Sequence, residues 1–343
     1  MRPAKLPIFD GLPGFIVGKR RLVPAIFGLL ARRLPPARWP GATLLDPFLG
    51  SGAVSLFAKL QGFRVICNDI ALRSVVCGRA FISNDAVRLR QADVLLLLRR
   101  PEKPYQHVAE ERYVPAVFSQ AHARLIDRVL YWARSESFPE PVRSLALVLL
   151  TKWLLHVQPM SLLRGTDAKA AFSGDLDRVS SRRLGHYLHS MELVKPAAWW
   201  RLAQQVNRGV LPGQGEVHQT DALAFLSGRT GDVIYVDPPY AGTAAYESEY
   251  AALDDLLEGR RFEVSDFSRS TDNLGALFLA CDHIPIWLVS YNNAALTLPQ
   301  LEDLIRPHRP NIESLRVHYR HLGSIASKAR NATNEEYIIV ATP

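Results

Sequence analysis

The sequence holds only three cysteines among its 343 residues: Cys67, Cys77 and Cys281. Their odd number and scattered spacing exclude a disulfide framework and a thiolate metal site. Such a set is expected as small buried apolar residues of a cytoplasmic chain kept reduced. Long hydrophobic runs are also lacking, and none reaches the ~20 residues a membrane span needs. The longest candidate, Leu145 to Val157, is broken by Lys152 and His156. Near the start, Leu22 to Ala31 follows Lys19, Arg20 and Arg21, but Pro24 interrupts it and Arg32-Arg33 closes it. No small-residue cleavage site follows, so this run reads as a core-facing helix and not as a signal peptide. Neither the GxGxxG of dinucleotide sites nor the GK[ST] of a phosphate loop is found, which disfavours a pyrophosphate ligand. No internal repeat or low-complexity segment stands out.

What is present is ordinary globular composition with a basic balance. Hydrophobic residues make up 48% and charged residues 22%, which argues against wholesale disorder. The net charge of +8 suits a polyanionic partner, either a nucleic acid or a membrane surface.

Periodicity gives the architecture. Leu22 to Leu34 has helical spacing and stops at Pro35-Pro36. Ala42 to Asp46 is a short apolar run that ends on an acid and enters a glycine turn. Ala53 to Leu60 is again helical, and Phe63 to Asn68 is a second strand followed by Asp69. Strand, glycine turn, helix, strand and acid open a doubly wound parallel sheet. From Tyr105 to Gly215 strand patterns are scarce, and helices are predicted over Ala116 to Arg134, Pro141 to Val157 and Pro196 to Asn207. Strands return at Glu216 to Gln219, Asp232 to Val236, Ile286 to Ser290, Ile312 to Tyr319 and Tyr337 to Ala341. The expectation is an α/β, Rossmann-like domain of residues 1–104 and 216–343, split by a mainly helical insertion of residues 105–215.

Two stretches carry chemistry. Asp46-Pro-Phe48-Leu-Gly50-Ser-Gly52 lies between a strand and a helix, where glycines allow a tight turn and close backbone approach to a ligand. By itself it describes a nucleotide site or a bare structural turn. Asp69 is placed to accept from ribose hydroxyls or to cap the next helix. The second stretch, Asp232 to Val236 running into Asp237-Pro238-Pro239-Tyr240, is more specific. Two prolines fix the backbone and remove two donors. The Asp237 carboxylate and the Pro238 carbonyl can then face one amine, and Tyr240 offers a flat face to a planar base.

Together these stretches resemble the alpha-group adenine-N6 DNA methyltransferases, the DNA adenine methylase family. Phe48 to Gly52 is similar to the family's FxGxG motif, and Asp237 to Tyr240 is identical to its DPPY motif. Phe15-Ile-Val-Gly18-Lys19 resembles its N-terminal aromatic-x-Gly-Gly-Lys motif, with Val17 in place of the first glycine. Ser290 to Asn293 and Asn334 to Tyr337 resemble later motifs. The likeness spans both halves of the α/β domain but not the insertion. It implies S-adenosylmethionine as methyl donor, held by Gly18, Lys19, Asp46, Phe48, Gly50, Gly52, Asp69 and Asp221. Lys19 would pair with the donor's carboxylate and Asp221 would lie near its adenine ring. It implies base flipping and direct in-line transfer to N6 by Asp237, Pro238 and Tyr240, with neither metal nor cysteine nucleophile.

Double-stranded DNA is the expected partner. Arg164, Lys169, Arg178, Arg182 and Arg183 are candidate contacts, although each is individually more often a solvated charge. Trp199 and Trp200 read as core. His156, His186 and His189 read as surface or capping residues. A monomer, with a cognate restriction or defence nuclease elsewhere, completes the expectation. Two alternatives stay open: transfer to RNA adenine or a protein amide, and a non-catalytic protein that binds methyl donor and nucleic acid.

Overall fold

The computed structural model describes residues 6–15, 18–157, 189–190, 192–241, 246–259, 263, 265–318 and 334–343. In chain order its main elements begin with α1 (Val23–Leu30), β1 (Thr43–Asp46), α2 (Ala53–Leu60), β2 (Arg64–Asn68) and α3 (Leu72–Phe81). A helical stretch follows: α4 (Gln91–Leu98), α5 (Val108–Tyr113), α6 (Gln120–Arg134), α7 (Glu140–Val157) and α8 (Pro196–Asn207). Then come β3 (Gly215–His218), α9 (Ala222–Leu226), β4 (Val233–Val236), α10 (Tyr246–Glu258), α11 (Asp266–Arg269) and α12 (Asn273–Ala280). The chain closes with β5 (Ile286–Asn292), α13 (Leu298–Ile305), β6 (Asn311–His318) and β7 (Glu335–Thr342).

The seven strands form one sheet in the order β3-β2-β1-β4-β5-β7-β6. Pairings from β3 across to β5 are parallel, and β7 alone runs against its neighbours. The α/β, doubly wound reading holds. Parallel strands covered on both faces are apolar throughout, with alternate residues serving opposite layers. Leu44, Val65, Val233, Tyr235 and Leu288 point into one apolar cluster, while Leu45, Ile66, Ile234, Val236 and Trp287 point into the other. From β1 the chain winds outward to β2 and β3, then returns to place β4 on the other side of β1. The crevice beyond the carboxyl ends of β1 and β4 is therefore a topological switch point, where open α/β sheets bind ligands.

The helix expected over Leu22 to Leu34 stops at Leu30. Pro35 disfavours helical backbone in the residue before it, and the Trp39 indole N–H takes the Leu34 carbonyl at 2.8 Å. The described helices α5 to α8 share their apolar cluster with one face of the sheet. Among them α7 is apolar nearly all round because α3, α6 and α8 all pack on it. All three cysteines and Trp199 are buried. Among the described residues no helix is long and apolar enough to cross a membrane.

Lys152, which broke the longest apolar run, is itself buried. Its ammonium donates to the carbonyls of Asp10 and Leu12 at 2.7 and 3.0 Å, tying α7 to the N-terminal segment that leads to Lys19. Lys152→Met keeps the stem but strands two carbonyls, so it should cost about 1–3 kcal/mol of stability. A denaturant titration that leaves the midpoint unchanged would contradict this anchor.

Candidate active site

A cavity of about 490 Å³ lies at the switch point. Its floor is the turn after β1, the acid after β2 and the Asp-Pro-Pro stretch after β4, while Glu247, Tyr250 and Phe267 wall the side toward α10 and α11.

The turn after β1 needs its glycines. Gly50 and Gly52 have φ of +53° and +79°, left-handed values that favour glycine. The Gly50 N–H donates to Asp69 at 2.9 Å, and the other Asp69 oxygen accepts from the Ala71 N–H at 3.0 Å. Asp69 therefore braces the turn and caps the chain entering α3, while its carboxylate still lines the cavity. Asp46, at the end of β1, accepts from the Ser55 hydroxyl at 2.6 Å and from the Phe48 N–H at 3.3 Å. Burial pushes the Asp46 carboxyl up to about 7, against the opposing Ser55 bond. Burial also raises Asp69. Asp221 lines the cavity as the N-cap of α9, accepting from the N–H groups of Leu223 and Ala224.

Behind Asp237 sits a buried polar cluster. The Lys19 ammonium lies 3.0 Å from Asp237 Oδ1, 3.1 Å from Glu336 Oε1 and 2.6 Å from the Tyr240 hydroxyl. That hydroxyl is in turn 2.8 Å from Asp237 Oδ1 and 2.5 Å from Glu336 Oε1. Burial alone would lower the Lys19 pKa, but the two carboxylates outweigh it and hold it above its ordinary value. The Asp237 pKa is raised, first by burial and further by Glu336, with Lys19 opposing.

Nearly all the predicted catalytic and methyl-donor residues converge here. Gly18, Lys19, Asp46, Phe48, Gly50, Asp69, Asp221, Asp237 and Pro238 line one cavity, and Gly52 closes the turn beneath it. Two are placed otherwise than expected. The Lys19 ammonium already has three protein oxygens within 3.1 Å, so it sits inside a buried polar cluster. Tyr240 is 1% exposed, with its ring at 4.9 Å from Tyr291 in an edge arrangement and the Lys19 ammonium 4.8 Å from the ring centre, so the ring is buried in the protein. The candidate DNA contacts Arg164, Lys169, Arg178, Arg182 and Arg183, with Val17 and His186, lie outside the described residues.

Glu336, within the Asn334 to Tyr337 motif, is a member of this cluster that the motif resemblance leaves without a role. Its signal is a carboxylate on the same inward face of β7 as Ile338 and Val340, where burial demands a partner. Ser55 and Glu247 carried no such signal. Among the described residues, His107, Glu110 and Asp127 also gather metal-ligating atoms, but none of them lines the cavity. Both Asp127 oxygens accept backbone N–H groups at the start of α5.

Residues 15–270, well over half the chain, match the family described as D12 class N6 adenine-specific DNA methyltransferase. The chain is similar to the Type II methyltransferase M2.HphI of Haemophilus parahaemolyticus, at 25% identity over 276 residues, 76% of this chain and 79% of that protein. It is also similar to the Type II methyltransferase M.NlaIII of Neisseria lactamica, at 26% identity over 279 residues, 73% of this chain and 75% of that one.

The raised Asp46 pKa has a stability consequence. Between the ordinary carboxyl pKa near 4 and the native value of about 7, the unfolded chain ionises Asp46 while the native protein holds its proton. Native stability therefore falls as pH rises through that window. Asp46→Asn removes the effect, so its melting temperature should gain on wild type from pH 4 to pH 7 and then level off. A gap independent of pH would show that Asp46 ionises normally in the folded protein.

Proposed function

The chain belongs to the D12 class of N6 adenine-specific DNA methyltransferases, and from that premise we propose how its own residues carry out the transfer. The reaction is site-specific methylation of the exocyclic amine of adenine in DNA. Methyltransferases of this family use S-adenosylmethionine, which when bound supplies an electrophilic methyl group on a cationic sulfur.

The cavity suits that ligand by charge. Asp46, Asp69 and Asp237 all line it, and burial raises the pKa of each, so a cationic group nearby would restore their ionised forms. Asp46, Phe48, Gly50, Gly18 and Asp221 are assigned to holding the methyl donor. Asp69 is assigned to its ribose, and Gly52 to the turn's shape. Lys19 is given a different part: it holds Asp237 from behind.

The adenine N6 lone pair is delocalised into the ring, which makes it a poor nucleophile. Asp237 and the Pro238 carbonyl accept its two hydrogens and favour a pyramidal nitrogen with a localised lone pair. Positioning and charge placement then supply most of the acceleration. The observation that carries this reading is the arrangement at Asp237. It lines the cavity and is 16% exposed, and the contacts of Lys19 and Tyr240 both fall on Oδ1, leaving Oδ2 for the amine. Because the target atom is stacked inside a duplex, the base must be flipped into the cavity.

Target recognition is assigned to the segment 105–215. Arg164, Lys169, Arg178, Arg182 and Arg183 would serve as phosphate or base contacts, in keeping with the overall charge of +8. The protein is proposed to act as a monomer in the cytoplasm beside a restriction or defence nuclease, a role suggested by the Type II names of its relatives.

Asp237→Ala tests the catalytic assignment. Single-turnover methyl transfer to duplex DNA should fall below detection, while calorimetric affinity for S-adenosylmethionine stays within a few fold of wild type. Transfer within a few fold of wild type would reject it.

A further inference from the structure

We propose that Glu336 is a positioning residue for methyl transfer: it shares the Lys19 ammonium with Asp237 and so keeps Asp237 open to the target amine. The proposal rests on the reading of Asp237 as the amine acceptor. Glu336 lies on β7, paired with Asn292 of β5, and is 0% exposed. It is not among the residues that line the cavity.

Counting donors gives it its role. Lys19 has three N–H groups and three oxygen partners, with nearly equal distances to Asp237 and Glu336. Tyr240 has one hydroxyl proton and, among the described residues, two carboxylates in reach, Glu336 at 2.5 Å and Asp237 at 2.8 Å. A hydroxyl donates one hydrogen bond at a time. Glu336 thus competes with Asp237 for that proton as it does for the ammonium. Without the Glu336 charge, the buried ammonium would have one carboxylate partner in this cluster. A buried ion pair reduced to two members closes tightly, because Asp237 is then the one counter-charge of the lysine in this cluster. Asp237 would then be drawn toward Lys19, and the tighter pair spends acceptor capacity that the amine needs.

Glu336→Gln keeps the shape and an acceptor for Tyr240 while deleting the charge. Single-turnover transfer to duplex DNA should slow by roughly ten- to a hundredfold. Affinities for S-adenosylmethionine and for DNA should stay within a few fold of wild type. Substitution of Lys19 should then be non-additive, with Lys19→Met/Glu336→Gln no slower than Lys19→Met alone. The pH profile supplies a readout that a merely structural role would not move. Among the described residues, the groups facing Asp237 are Lys19, Glu336 and Tyr240, with Asp46 on β1 and Tyr235 on β4, and Tyr291 of β5 packs on Tyr240. Removing the like charge of Glu336 makes the cluster easier to ionise, so the acid limb of the rate should move to lower pH. Should Glu336→Gln fail to fold, Glu336→Asp retains the charge. It should fold, keep the limb in place and run at least several-fold slower, because the shortened side chain releases Lys19 toward Asp237.

Wild-type rates in the folded variant would overturn the proposal. So would a rate loss that tracks a fall in affinity or melting temperature with the acid limb unmoved. Asp237→Ala measured alongside separates the two levels: if it retains activity, the reading of Asp237 fails, whereas if only Glu336 proves neutral, that reading stands and the positioning role falls.

Discussion

A single buried ammonium, that of Lys19, holds together the cluster around Asp237, the proposed amine acceptor. It sits among Asp237, Glu336 and Tyr240 with 6% of its side chain exposed. A lone charge buried this deeply would be unaffordable, and its three oxygen partners are what make it tolerable. The same contacts fix where Asp237 stands. They join the N-terminal segment, the loop after β4 and the antiparallel strand β7, which lie 218 residues or more from Lys19 in the latter two cases, since Lys19 and Asp237 differ by 218 positions. The electrostatics of the cavity follow from that junction, because it fixes which carboxylate oxygens remain for a ligand.

The sheet makes the junction possible. Returning from β3 to β4 across β1 opens a crevice at the carboxyl edge, and three strands deliver Asp46, Asp69 and Asp237 to it. The one strand of opposite direction, β7, brings Glu336 to the same edge through its pairing with β5. The helices α5 to α8 pack in the apolar layer shared with one face of the sheet, and through Lys152 that layer also holds the N-terminal segment. Core packing thus reaches the N-terminal segment at Asp10 and Leu12.

Much of this was legible in the sequence. The alternation of strand and helix around Asp46-Pro-Phe-Leu-Gly-Ser-Gly set the sheet type, and α2 and α8 have the predicted bounds, because local periodicity and prolines determine them. The Asp237 turn was legible because two prolines after an apolar strand admit few other uses. Partner choice was not legible. Nothing in Gly18-Lys19 says that the lysine faces a protein carboxylate in place of a ligand's, since that follows from the antiparallel entry of β7. The covering of the Tyr240 ring likewise depends on Tyr291, which arrives from β5. Glu336 could have been suspected from its place in an otherwise apolar strand, but only the fold names its partners.

The central claim is that the amine acceptors at Asp237 direct the methyl group to the N6 of adenine in duplex DNA. The most direct measurement supplies methyl-labelled S-adenosylmethionine with duplex DNA, RNA and protein acceptors, and identifies the labelled product by mass spectrometry after digestion. Label is expected in N6-methyladenine from the duplex. Label in a cytosine, in RNA alone or in a protein amide would contradict it.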